Sequence, residues 1–136
     1  MLIAAPLFAA APLELIVSGL RESAVSRTTA ALTVSVKNTD TGEAVEFIGV
    51  SVERKGSDGK FSSVRPDIGC PCGAKCKKMP VSLKKGESIR ATWDMMSNEC
   101  QKVPSGVYRF VVINRYSEAS NDYVYSGISK EFIVFD

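Results

Sequence analysis

The chain is predicted to be an all-β, two-sheet antiparallel sandwich of seven or eight strands, and three observations carry that prediction. Short runs of β-branched and aromatic residues recur with a two-residue alternation of apolar and polar side chains, the period of a half-buried strand. Between those runs Gly, Asn, Asp and Ser cluster at the spacing of a many-stranded protein. No stretch shows the 3.6-residue apolar period of an amphipathic helix. At 136 residues, 45% apolar and 24% charged, the chain has the length for one domain around one core.

Residues 1–12 carry no charge and consist largely of Ala, Leu, Ile, Phe and Pro. The run is too short to span a bilayer. It reads as the apolar part of a secretory leader ending in small residues at Ala9, Ala10 and Ala11, or else as an apolar N-terminal segment ahead of a single domain over 13–136. Leu13 to Gly19 is the first predicted strand. Leu32, Val34 and Val36 then alternate against Thr33, Ser35 and Lys37, and Thr39-Asp40-Thr41-Gly42 turns the chain. From Glu43 to Lys55 both faces carry apolar residues, with Gly49 read as a bulge that keeps Phe47 and Val50 on one side. Gly56-Ser57-Asp58-Gly59 is the next turn, followed by a strand from Phe61 to Arg65. Val81 to Leu83 and the alternating Ile89, Ala91 and Trp93 flank a tight turn at Lys84-Lys85-Gly86. Two last strands, Val107 to Tyr116 and Tyr123 to Phe135, flank a polar loop around Ser120-Asn121-Asp122. Trp93, Tyr108, Phe110 and Val112 are expected to share the core face.

One detail narrows the sandwich to an immunoglobulin-like one. Pro104-Ser105-Gly106-Val107-Tyr108 places a tyrosine just after a corner at the start of the penultimate strand, the position of a tyrosine corner. Further motifs point the same way: Leu32 to Phe47, with Asn38 ending one strand and Val45-Glu46-Phe47 opening the next, and Leu83-Lys84-Lys85-Gly86-Glu87-Ser88 through Trp93 to Gly106-Val107-Tyr108. Together they resemble the bacterial intracellular proteinase inhibitor family, whose members are small immunoglobulin-like sandwiches. The resemblance spans about half the chain and is carried by fold-level motifs. It implies the sandwich and protease inhibition as an activity, and it transfers no functional residue. Residues 50–64 and the cysteine loop depart from that family's pattern.

Histidine is absent. That removes Ser-His-Asp and Cys-His catalysis and mixed Cys/His zinc sites, and no phosphate-binding glycine loop, G-x-S-x-G or S-x-x-K stands in for them. The expectation is a non-enzyme without a cofactor. A formal net charge of +2 excludes a strongly electrostatic nucleic-acid binder, although Lys75, Lys77, Lys78, Lys84, Lys85 and Arg90 are opposed only by Glu87 over residues 75–90.

Four cysteines carry the rest of the reading. Cys70, Cys72 and Cys76 crowd one loop, and Cys100 stands 24 residues beyond. Cys70 and Cys72 flank only Pro71, so each is expected to reach Cys76 or Cys100 rather than the other. Two disulfides fit this spacing better than zinc, which favours two C-x-x-C knuckles. Cu(I) held by the thiolates with Met79, Met95 and Met96 is the metal alternative. Disulfides place the protein in a secreted or periplasmic compartment. There it is expected to act as a protein-binding module, a protease inhibitor among the options. The loop from Asp67 to Pro80 would be the contact, with Lys75, Lys77 and Lys78 meeting an acidic partner. The alternative is an assembly subunit that adds its N-terminal segment to a neighbour's sheet edge.

Overall fold

A computed structural model describes residues 12–39, 44–77, 79–117 and 122–136, the side chains of 114–117 and 122–124 apart. Among the described residues there are eleven strands and no helix, so the protein is all-β. The strands are β1 (Leu13–Ser18), β2 (Ala24–Ser26), β3 (Leu32–Asn38), β4 (Val45–Phe47), β5 (Gly49–Lys55) and β6 (Phe61–Arg65). They continue with β7 (Val81–Leu83), β8 (Ser88–Trp93), β9 (Gly106–Ser117), β10 (Asp122–Ile128) and β11 (Phe132–Phe135). One sheet runs β1-β3-β8, a larger one runs β2-β11-β9-β5-β6 with β10 also on β9, and β4 pairs with β7.

The alternation read in the sequence decides which faces meet. Leu32, Val34 and Val36 of β3 are buried and lie beside Trp93, Ala91 and Ile89 of β8. Val50 and Val52 of β5, Tyr108, Phe110 and Val112 of β9, and Phe132 and Val134 of β11 complete the same core. Trp93 joins the two sheets: its ring centroid is 6.0 Å from Tyr108 and 5.9 Å from Phe110, edge-on to the latter, and Phe110 stacks at 5.4 Å on Phe132. Such contacts add to the large apolar area each ring removes from water. The Tyr108 hydroxyl donates to the Pro104 carbonyl at 2.6 Å, which satisfies the one polar atom of a buried ring. Burial pushes the Tyr108 phenol above its usual pKa, and the nearby Arg54 charge pulls the other way.

Several elements differ from expectation. The predicted single strand from Glu43 to Lys55 is two strands in two sheets, β4 on β7 and β5 on β9 and β6. Phe47 and Val50 both reach the core because the chain changes sheets between them, not because Gly49 bulges. The Ile48 amide donates to the Ile113 carbonyl at this crossing, at 3.1 Å. The last predicted strand also divides. Between β10 and β11, Ser129 takes over the ladder: its amide donates to the Phe110 carbonyl at 2.9 Å and its hydroxyl accepts from the Phe110 amide at 2.9 Å. The sheets are not purely antiparallel, since β2 runs parallel to β11. With three residues and one buried side chain, Val25, β2 is too short for its alternation to register. These divisions raise the strand number above the seven or eight expected. The turn at 40–43, the loop at 118–121 and residues 1–11 lie outside the described residues.

At the turn that carries the chain from β7 to β8, Asn38 does the fastening. Its side-chain amide donates to the Leu83 carbonyl at 2.8 Å, its backbone amide to Glu87, and its carbonyl accepts from Gly86. Gly86 sits at φ 85°, a conformation that favours glycine, and it closes the Lys84-to-Glu87 turn.

Candidate functional site

The cysteine loop leaves β6 at Arg65 and returns to β7 at Val81, and its base is tied to the body by polar groups. The Ser51 hydroxyl donates to the Pro66 carbonyl, and the Ile68 amide donates to the Val50 carbonyl at 2.9 Å. Ile68 itself is buried, so an apolar side chain pins the loop where it crosses β5. Asp67 Oδ1 accepts from the Gly69 amide at 2.9 Å, and the Asp67 carbonyl accepts from Cys70, a turn that a short acidic side chain stabilises locally.

Arg65 is the centre of the platform. Its side chain is only 3% exposed. One guanidinium nitrogen donates to Asp94 Oδ1 at 2.7 Å and to the Met96 carbonyl at 3.1 Å, and the other donates to the Cys70 carbonyl at 2.7 Å. A planar fork with several donors suits three acceptors that arrive from two loops. Burial opposes the Asp94 charge, but the Arg65 hydrogen bond, the Met96 amide and the Arg65 charge outweigh it and hold the carboxyl below its usual pKa. The Met96 carbonyl also accepts from Trp93 Nε1 at 2.9 Å, which joins the platform to the aromatic core.

Two disulfides complete it, Cys70–Cys76 and Cys72–Cys100, with Cα separations of 6.0 and 5.2 Å. Both separations lie in the ordinary range for the bond. Cys72–Cys100 fastens the cysteine loop to the segment after β8. That segment starts at Met95 (φ 65°) and ends at Cys100 (φ 61°), two left-handed backbones that L side chains seldom adopt. Each is held in place: Met95 is fully buried and its carbonyl accepts from Val103, and the Cys100 amide donates to Ser97.

Lys75 and Lys77 are exposed on the outer side of the loop, as is Met79, at 67%. Lys78 lies outside the described residues. All four cysteine sulfurs are bonded to one another, so the metal alternative has no thiolate. Its three methionines are also apart in role, Met95 in the core, Met96 half-buried and Met79 in solvent.

A second polar cluster lies away from the loop. On the outer face of the large sheet, Glu53 is buried; its Oε1 accepts from Arg109 Nε at 2.9 Å and its Oε2 accepts from the Tyr125 hydroxyl at 2.6 Å. The Arg109 guanidinium lies 3.9 Å over the Phe61 ring. Glu53 and Arg109 face each other across β5 and β9, a cross-strand ion pair that the alternation alone would assign to a solvated face.

No family model matches the chain, and no curated protein does. Among solved structures, it is similar to a β-glucosidase from Listeria innocua in complex with gluconolactone, at 17% identity and TM-score 0.39 over 91% of this chain and 16% of that one. It is similar also to the alkylpurine DNA glycosylase of Pseudomonas fluorescens bound to DNA, at 12% identity and TM-score 0.41 over 95% of this chain and 33% of that one. A structural-genomics target matches at 14% identity and TM-score 0.39, over 90% of this chain and 84% of that one. The chain spans about a sixth and a third of the first two proteins. At these scores the likenesses bear on neither activity nor partner. The site therefore rests on its own geometry: a cross-linked, basic, solvent-facing loop on a buried arginine.

Proposed function

We propose that this protein is a non-enzymatic protein-binding module, an immunoglobulin-like sandwich working in a secreted or periplasmic compartment, that engages an acidic partner through the stapled loop from Asp67 to Pro80. The carrying observation is the combination of the buried Arg65 fork and two disulfides beneath exposed Lys75 and Lys77. A loop already held in one shape loses little conformational entropy on binding, and its lysines favour an acidic surface. The immunoglobulin-like reading is supported by the order β1-β3-β8 opposite β11-β9-β5-β6 and by the Tyr108-to-Pro104 hydrogen bond. Two disulfides are compatible with an oxidising compartment. Protease inhibition is one specific form of this function, with the stapled loop presented to the enzyme.

The test is a panel of secreted proteases titrated with the wild-type protein and with the combined Lys75→Ser, Lys77→Ser and Lys78→Ser variant. Wild-type inhibition that weakens in the variant, with a flatter salt dependence, supports the reading. Inhibition indifferent to the triple change places the function elsewhere.

A second reading, an assembly subunit joined by N-terminal strand addition, is favoured by one feature. β1 stands at the edge of the three-stranded sheet, with Ile16 54% exposed. Light scattering across a concentration series separates the two: growing polymers support the assembly, a constant monomer mass the module.

A further inference from the structure

The two disulfides differ in their surroundings. A depression of about 240 Å³ opens beside Cys70–Cys76, lined by both of those cysteines together with Pro66, Asp67, Lys75 and Asn98. Cys76 is exposed and stands between two exposed cations, Lys75 and Lys77, whereas Cys70 is buried. Cys100 is exposed too, but it follows exposed Glu99 and precedes the neutral Gln101. Cys76 therefore stands among two lysines and one carboxylate, that of Asp67, whereas Cys100 stands beside the carboxylate of Glu99 with no adjacent cation.

From this we infer that Cys70–Cys76 is a thiol-exchange site selective for small anionic thiols, and that Cys72–Cys100 is the permanent cross-link. The incoming thiolate is drawn to the lysines and attacks Cys76 Sγ, forming a mixed disulfide there, while the S–S bond breaks with its electron pair on Cys70 Sγ. The thiolate leaves on Cys70, the buried residue whose backbone carbonyl accepts from the Arg65 guanidinium at 2.7 Å. It takes a proton from water. A second thiol then attacks the adduct sulfur, so that the thiol reagent is oxidised to its own disulfide and Cys70 and Cys76 are both left reduced. The body of the fold stays cross-linked through Cys72–Cys100. This chemistry does not depend on the loop's being a partner-binding surface, and it is tested without a partner.

The experiment uses the native oxidised protein at low ionic strength, with reduced glutathione as the anionic thiol and cysteamine as the cationic one. Acid-quenched samples are alkylated and mapped by peptide mass, and Trp93 emission reports the fold. Expected with glutathione is opening of Cys70–Cys76 about tenfold or more faster than Cys72–Cys100, with the adduct on Cys76 and native emission throughout. Cysteamine should reduce that preference by about threefold or more, as should the Lys75→Ser, Lys77→Ser double variant with glutathione, because both remove the charge attraction. Four results each overturn the inference: equal opening of the two bonds, opening of Cys72–Cys100 first, a preference independent of thiol charge, or opening only as fast as Trp93 emission shows global unfolding. If the double variant does not fold, the comparison of the two thiols on the wild-type protein decides alone.

Discussion

The aromatic core and the cysteine platform meet at Trp93 and are held by opposite means. In the core, Trp93, Tyr108, Phe110 and Phe132 are ordered by removing apolar area from water, and each ring is positioned by the sheet that carries it. In the platform, ordering comes from a buried guanidinium, backbone carbonyls and two covalent links, around few buried apolar side chains. The Met96 carbonyl belongs to both, accepting from Trp93 Nε1 and from Arg65. A core of this kind stabilises the whole fold, and a platform of this kind mainly fixes the shape of one loop.

The largest test of that contrast is Trp93→Ala. It should destabilise by about 3 to 5 kcal/mol, because the ring is fully buried and its loss leaves a cavity between the sheets. Urea denaturation measures this, and a loss below 1 kcal/mol would show that the sheets are held by something other than this ring. Paired replacement of Cys72 and Cys100 by Ser should cost about 3.6 kcal/mol on the chain-entropy model, against about 2.4 kcal/mol for Cys70 with Cys76. The sequence separations of 28 and 6 are the cause. Equal costs, or the reverse order, would mean that the short link carries the platform.

Next comes Arg65→Met, which retains the aliphatic packing and removes three charged hydrogen bonds. A loss of about 2 kcal/mol is expected, with the loop amides of Gly69 to Cys76 exchanging faster while those of β3 and β9 keep their protection. Loss of protection throughout both sheets would erase the proposed division. The smallest effect is in acid. The folded-state pKa of Asp94 is lowered, so its contribution is fully present above the unfolded value of about 4 and is lost as pH falls through the folded value. The carboxylate is 44% exposed, so solvent screening keeps the step small. Asp94→Asn should flatten the fall in stability below about pH 4 relative to wild type; an unchanged slope would remove the ion pair from the account.

What the sequence made legible divides along the same line. Alternation in Leu32 to Lys37 and in Ile89 to Trp93 revealed which side chains face inward, since one face of each strand is buried and the period is short. The cysteines and their lysines announced the loop. Nothing local marked Arg65, because its burial is decided by Asp94 and Met96, which the chain supplies only about thirty residues later. Glu53 and Arg109 were hidden for the same reason, being 56 residues apart and paired only through the sheet. The short strands β2 and β4 have too few residues to show a period, and the crossing at Ile48 and Gly49 resembles one strand because both sides of it are apolar.

Cys72–Cys100 bears also on how fast the chain finds its fold. β5 and β9 lie side by side, although the chain between Lys55 and Gly106 must first loop out, and closing such a loop is an entropic barrier that slows β-rich proteins. The cross-link cuts across that excursion, removing a separation of 28 residues from the path. For an ideal chain the closure then costs about 0.7 kcal/mol less, roughly a threefold gain in rate if closure precedes the transition state. An oxidised chain would therefore assemble its central strand pair ahead of a reduced one, and the bond would act as a folding guide before it acts as a staple.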